Sequence, residues 1–251
     1  MTVRTEPIDK RVRAYIDDQV VLDSRRPLLF WEEGFPVPGY AFPRDDVRTD
    51  LLRPAGDEPP GTPSFFGPHG PVSQWYDVVL GDRAVPHAAW VRDDPALADL
   101  VVLSWQPGLL DRWTEEDETV LMHPRDPHKR VETLASSRHV IVELDGVRLA
   151  ESRRPVLLLE TGLPTRYYLP REDVALELLE ASDTRSTCPY KGTTDDYWSL
   201  PVHPRADDLA WSYAHPLPAV EKIAGRVAFY NERVDLTVDG VIQQRPTTPF
   251  S

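Results

Sequence analysis

Apolar and polar positions alternate with period two in short runs along most of this chain, the pattern of half-buried β-strands separated by turns. Residues 139–144 (HVIVEL) alternate and are rich in valine and isoleucine, Asp145-Gly146 is a hairpin turn signal, and residues 147–151 supply the returning strand. The apolar run 156–159 (VLLL) predicts a buried strand, and 166–169 (RYYL) another, with Tyr167 and Tyr168 on opposite faces. The period changes at 170–179, where Val174, Leu178 and Leu179 share a helical face behind Pro170, with acids in the first turn; one short helix is expected there. Residues 195–202, 209–213 and 226–230 read as further strands. A helical turn over 218–224 would end at Gly225, and 234–238 with Asp239-Gly240 predicts a last hairpin.

The pattern occurs twice. VRAYIDDQVVLDSRRPLLFWEEGFP (12–36) lies over VIVELDGVRLAESRRPVLLLETGLP (140–164), so that Ser24-Arg25-Arg26-Pro27 falls on Ser152-Arg153-Arg154-Pro155 and Glu32, Gly34 and Pro36 on Glu160, Gly162 and Pro164. One inserted residue later, 43–47 (PRDDV) matches 170–174 (PREDV); farther on, Ala89-Trp90 matches Ala210-Trp211. Two mainly β domains related by tandem duplication follow: a degenerate N-terminal copy over 10–123 and a C-terminal copy over 130–245. They are joined by the polar, proline-broken 123–130 (HPRDPHKR).

Composition narrows the function classes. The 26 prolines exceed the roughly 5% of average proteins and disfavour long helices. A net charge of −13 argues against nucleic acid and against anionic membranes as partners. One cysteine excludes an internal disulfide and a thiolate zinc cluster. With no apolar signal core and no run of ~20 apolar residues, a cytoplasmic location is expected. The seven histidines, His203 among them, lack ligand spacing, so no metal and no cofactor is implied.

The copies differ most at residues 160–198. There the second holds Cys188 and Lys191 in STCPYKG (186–192), where the first has the neighbourhood of PSFFG (63–67); opposite Arg166-Tyr167-Tyr168 stands Pro38-Gly39-Tyr40. Lys191 and Arg171, cations beside tyrosines, suit a carboxylate or phosphate, since arginine grips such a group bidentately and lysine adds a point charge. Tyr168 and Tyr190 would hold the body of a small anionic or polar molecule, with Arg166, Glu160 and Trp198 completing the site. Arg171 has a structural alternative, an ion pair with Glu160, and the first copy's Arg44 and Glu32 support it. Cys188 is either a nucleophile whose thiolate Lys191 stabilises or a small buried hydrophobe. Trp211, matched by Trp90, is assigned to the core.

The segments ETGLPTRYYLPREDV, CPYKGTTDDYW, LAWSY and GRVAFYNERVDL resemble the bacterial family known as domain of unknown function 427, closely over about 130–240 and loosely over the first copy. The resemblance implies a compact β domain of the β-tent kind, a type whose relatives often carry zinc on cysteine pairs that this chain lacks. It implies no established activity. The family has been labelled nucleotidyltransferase-like, yet neither a phosphate-cradling glycine loop nor a paired-aspartate metal motif stands here. Three readings remain: a domain that binds, and acts on or merely holds, a small anionic metabolite; a non-catalytic interaction module; and a cofactor-independent enzyme using Cys188 or a nucleotidyltransferase-like activity. The sequence does not fix an oligomeric state.

Overall fold

Strands this short bury enough surface only when many are paired edge to edge, and the chain pairs them twice in the same way. The computed structural model describes residues 2–56, 59, 65–201 and 206–251. It divides the chain into two units, Met1–Asp126 and Pro127–Ser251.

In the first unit a seven-stranded antiparallel sheet runs in the spatial order Val3–Pro7, Leu28–Glu32, Gly39–Pro43, Leu100–Leu103, Arg83–Arg92, Val72–Leu80, Leu52–Pro54. A four-stranded sheet is ordered Glu118–Thr119, Arg112–Glu115, Val12–Ile16, Gln19–Ser24. The second unit repeats both orders. Val131–Ala135, Val156–Glu160 and Arg166–Tyr168 meet Val227–Phe229, Ala210–Ser212, Asp196–Ser199 and Glu180–Ser182 through the single bridge Leu169 to Val227. Its smaller sheet is ordered Val241–Ile242, Asp235–Val238, Val140–Leu144, Val147–Ser152. The molecule is therefore mainly β, with two similar halves.

The hairpins form where the sequence places residues that tolerate a left-handed backbone. Asp145 and Gly146 have φ of 49° and 81°, and Asp239 and Gly240 have φ of 53° and 80°. Because side chains alternate along a strand, each larger sheet has two apolar faces. One packs on the smaller sheet: Val140, Val142 and Leu149 against Leu169, Trp198 and Phe229 in the second unit. The other carries Phe30, Ala41, Trp75, Trp90 and Val102 in the first unit, and Leu158, Tyr168, Tyr197, Trp211 and Ala228 in the second. Tyr167 packs against the first face and Tyr168 belongs to the second.

The helix expected over 170–179 is instead two single 3-10 turns, Arg171–Asp173 and Leu176–Leu178. Val174 between them is extended and bridged to Ala150, and the Ala175 amide donates to the Leu149 carbonyl at 2.9 Å. Pairing with a neighbouring strand thus overrides a helical period that was never long enough to nucleate. The repeated Ser-Arg-Arg-Pro motif has a structural role here. Ser152 donates to Asp173 at 2.6 Å and Arg154 reaches the same carboxylate at 3.0 Å; Ser24, Arg26 and Asp46 form the same clamp at 2.7 and 2.8 Å.

The helical turn near 218–224 is a 3-10 segment, Pro218–Ile223, and Gly225 beyond it has φ of 68°. The strand expected over 195–202 is Asp196–Ser199; Val202 lies outside the described residues. Missed altogether were Val131–Ala135, directly after the expected linker, Glu180–Ser182, and the two-residue strands Thr187–Cys188 and Gly192–Thr193. Among the described residues no helix is long and apolar enough to cross a membrane.

Candidate functional site

The second unit gathers its polar chemistry on the face of the larger sheet turned away from the smaller one. Leu158, Glu160, Arg166, Tyr168 and Trp211 reach that face from successive strands, and Val220 and Ile223 pack over it. Arg166 and Glu232 form a bidentate pair with bonds of 2.6 and 2.7 Å, their side chains 7% and 0% exposed. Thr248 donates to the same carboxylate at 2.6 Å. Burial opposes the Glu232 charge, but the bonds from Arg166 and Thr248 and a backbone amide together outweigh it and hold the carboxyl below its usual range. The guanidinium lies 5.6 Å from the Tyr230 ring centre and 5.8 Å from that of Trp211.

Around this pair the aromatic polar tips are joined to one another. The Trp211 indole donates to the Tyr168 hydroxyl at 3.1 Å, and the Tyr197 hydroxyl pairs with Ser186 at 2.8 Å. Burial raises the Tyr168, Tyr213 and Tyr230 phenols well above their ordinary value, so all three stay protonated at neutral pH.

Residues 186–194 lay a tight hairpin beside this face. Thr187–Cys188 pairs with Gly192–Thr193, and the Lys191 amide donates to the Cys188 carbonyl at 3.3 Å, closing a turn through Pro189 and Tyr190. Gly192 has φ of 103°, and a side chain there would meet the backbone of residues 215–217, with the His215 carbonyl 3.5 Å away. The turn is thus held from both sides, because Leu217 also donates its amide to the Lys191 carbonyl at 3.0 Å.

So held, Lys191 donates through Nζ to Oε2 of buried Glu160, while Lys129 pairs with Oε1 at 3.1 Å. Burial disfavours the Glu160 charge, yet Lys191, with Lys129 behind it, more than offsets this and lowers the carboxyl pKa. Two ammoniums on one carboxylate leave the corner with a net positive charge. The Lys129 ammonium also stands 5.6 Å from the centre of the Tyr190 ring. Cys188 is half-buried and free.

Of the residues singled out in the sequence, Cys188, Lys191, Tyr190 and Glu160 belong to this corner, and Arg166 and Tyr168 to the sheet face next to it. Arg171 and Trp198 stand apart. Arg171 pairs with Asp196 at 3.0 Å, half-exposed, and its guanidinium lies 4.9 Å from the centre of the Trp198 ring, which belongs to the core between the sheets. Lys191 and Arg171 therefore serve different acids, and the partners of Glu160 are the two lysines, not Arg171. Sequence reasoning missed Lys129, consigned to the linker, and Glu232, inside the GRVAFYNERVDL segment. Glu232 stands between Asn231 and Arg233, so its immediate neighbours gave no signal of burial. Among the described residues no three of His, Cys, Asp and Glu gather into a metal-holding group; His203 lies outside them.

Strand registers correct the match between the copies at this face. Leu28 pairs with Ala41 and Phe30 with Gly39, as Val156 pairs with Tyr168 and Leu158 with Arg166. The counterpart of Arg166-Tyr167-Tyr168 is therefore Gly39-Tyr40-Ala41, one residue on from Pro38-Gly39-Tyr40. Trp75 opposite Trp90 matches Tyr197 opposite Trp211, which puts Arg92 at the position of Tyr213. In the first unit Glu32, the match of Glu160, pairs with buried Arg92. Of the PSFFG segment, Pro63 and Ser64 lie outside the described residues.

The same strand order in both halves, as one seven-stranded sheet in the first and as three- and four-stranded sheets joined by a bridge in the second, each beside a smaller four-stranded sheet, defines a tandem pair of small antiparallel β domains. The chain belongs to the family described as Domain of unknown function (DUF427), whose model matches residues 4–113 and again 132–240. No curated protein matches the chain.

Proposed function

We propose that the second unit binds a small anionic molecule at the corner formed by Lys191, Lys129 and Glu160, with Tyr190 against its body. One observation carries this reading: a buried carboxylate shared by two ammoniums. The excess positive charge sits in a partly desolvated place, where an incoming carboxylate or phosphate gains more than it would at an exposed lysine. Arg166 belongs to the support, since both of its terminal nitrogens are occupied by Glu232.

The cytoplasm suits such a protein, because its one free thiol stays reduced there. Its net charge of −13 favours a small ligand over nucleic acid. Thermal unfolding in malonate, citrate and inorganic phosphate tests the reading. The melting temperature is expected to rise with at least one of them, and Lys129→Ala/Lys191→Ala to abolish the rise. An equal rise in the double variant, or none with any of the three, removes the corner as a site.

Cys188 decides whether the molecule is held or also acted on. Its half-buried thiol lies in the same turn as Lys191. Carbamidomethylation of the folded protein by iodoacetamide, slowed by the stabilising anion and by Lys191→Ala, would support a reactive thiol. Labelling only after unfolding leaves a binding module.

A further inference from the structure

We propose that the first unit carries a separate pocket, built for a planar, uncharged aromatic molecule that presents two hydrogen-bond acceptors. A cavity of about 40 Å³, open to solvent on one side, is walled by Phe30, Phe35, Phe65, Trp90 and Trp105, with His69 beside them. The rings already pack on one another in tilted pairs, Phe35 to His69 at 3.9 Å and Phe35 to Phe65 at 4.9 Å between centres, so a flat guest would join an aromatic cluster.

Two features select the guest's polarity. Glu32 and Arg92, which also line the cavity, are closed on each other, with side chains 5% and 2% exposed. The pair is neutral and favours neither an anion nor a cation. The indole N–H groups of Trp90 and Trp105 are buried and have no hydrogen-bond partner among the described residues; the two residues are only 4% and 8% exposed. Buried donors are nearly always satisfied, so each orphan needs an explanation.

The second unit supplies it for Trp90. Its counterpart Trp211 gives its N–H to the Tyr168 hydroxyl, and the residue at the Tyr168 position in the first unit is Ala41. The replacement deletes the acceptor. Gly39 in place of Arg166 likewise removes the guanidinium that fills this face of the second unit, and the Phe30 ring lies over the glycine, 2.5 Å from where a Cβ would stand. A ligand carbonyl or ether oxygen seated at Trp90 restores the lost bond, and a second acceptor on the same ring system reaches Trp105.

This inference is independent of the anion corner. Titration of the ¹⁵N-labelled full chain with coumarin and with chromone, both planar with two ring-borne oxygens, tests it through the seven indole N–H signals. The Trp90 and Trp105 signals are expected to move downfield on binding. Indene, which lacks acceptors, is expected to leave them in place or bind about tenfold more weakly. Trp90→Phe keeps a ring but removes the donor, and about a tenfold loss is expected. Phe65→Ala removes a half-exposed wall without touching the core, and should weaken binding to a similar degree. Lys191→Ala should change nothing. The proposal is overturned if neither signal moves at millimolar coumarin or chromone, if only Trp198 and Trp211 respond, or if both variants bind like the parent.

Discussion

Arg166 shows how a charged side chain can be indispensable to the fold. Its guanidinium and the Glu232 carboxylate are both withdrawn from water, so each is tolerable only because the other is present. Arg166→Ala strands the acid and should destabilise the second unit by about 3–5 kcal/mol, measured as a lower urea midpoint. The two acids also set an acid limit. Glu160 and Glu232 both have folded pKa values below their unfolded ones, so their contribution is complete above the ordinary glutamate value of ~4.3 and is lost as pH falls through the lower folded values. The parent is expected to lose stability below that pH, and Glu160→Gln/Glu232→Gln to lose less over the same window. Parallel pH curves for the two proteins would refute the assignment. At this scale the sequence was partly legible. Cys188 and Lys191, three residues apart in a turn, were bound to share one hairpin. The partners of Glu160 were not readable, because Lys129 lies 31 residues away and meets it only through the pairing of Val131 with Glu160.

At the scale of elements, the hairpin over 186–194 depends on one backbone conformation. Gly192→Ala places a side chain at a positive φ and against the backbone of residues 215–217, and should cost about 1–3 kcal/mol. The same change would disturb the Lys191 to Glu160 contact, so it is expected to weaken any anion-induced melting shift as well. A variant with parental stability and parental shift would show that the turn is not held as described. The Ser152 clamp is a second element-level device: Ser152→Ala removes bonds to Asp173 and to the Arg154 amide, a loss of about 1–3 kcal/mol for a nearly inaccessible group, read in the same urea experiment. Strands bounded by Asp-Gly turns were visible in the chain because local chemistry dictates them. The 170–179 segment was misread because its three apolar positions fit a helical face, whereas Val174 is claimed by its bridge to Ala150, a contact no local pattern encodes.

For the whole molecule, each unit has its own complete sheet order and its own buried clusters. A fragment of residues 127–251 is therefore expected to unfold cooperatively by itself, with dispersed indole signals for Trp198 and Trp211. A fragment without a cooperative transition would mean that the second unit needs the first. The duplication was legible because its anchors, the Ser-Arg-Arg-Pro clamp and the glutamate four residues after its Ser-Arg-Arg-Pro-Val or Pro-Leu run, serve structure in both copies. The offset at Gly39 was not legible, since a one-residue slip between strands leaves the apolar pattern intact in sequence yet turns every side chain to the other face.

The exchange of buried cations between the halves also constrains how they can change. One half draws its arginine from the strand Arg83–Arg92 and the other from Arg166–Tyr168, and each has remodelled the place its twin uses. Arginine at position 39 would run into Phe30, and removing Arg92 would strand Glu32. No single step leads from either arrangement to the other through a sound intermediate. Once separated, the twins are committed to different buried ion pairs, and recombination between their coding segments would yield chimaeras with a buried charge too many or too few.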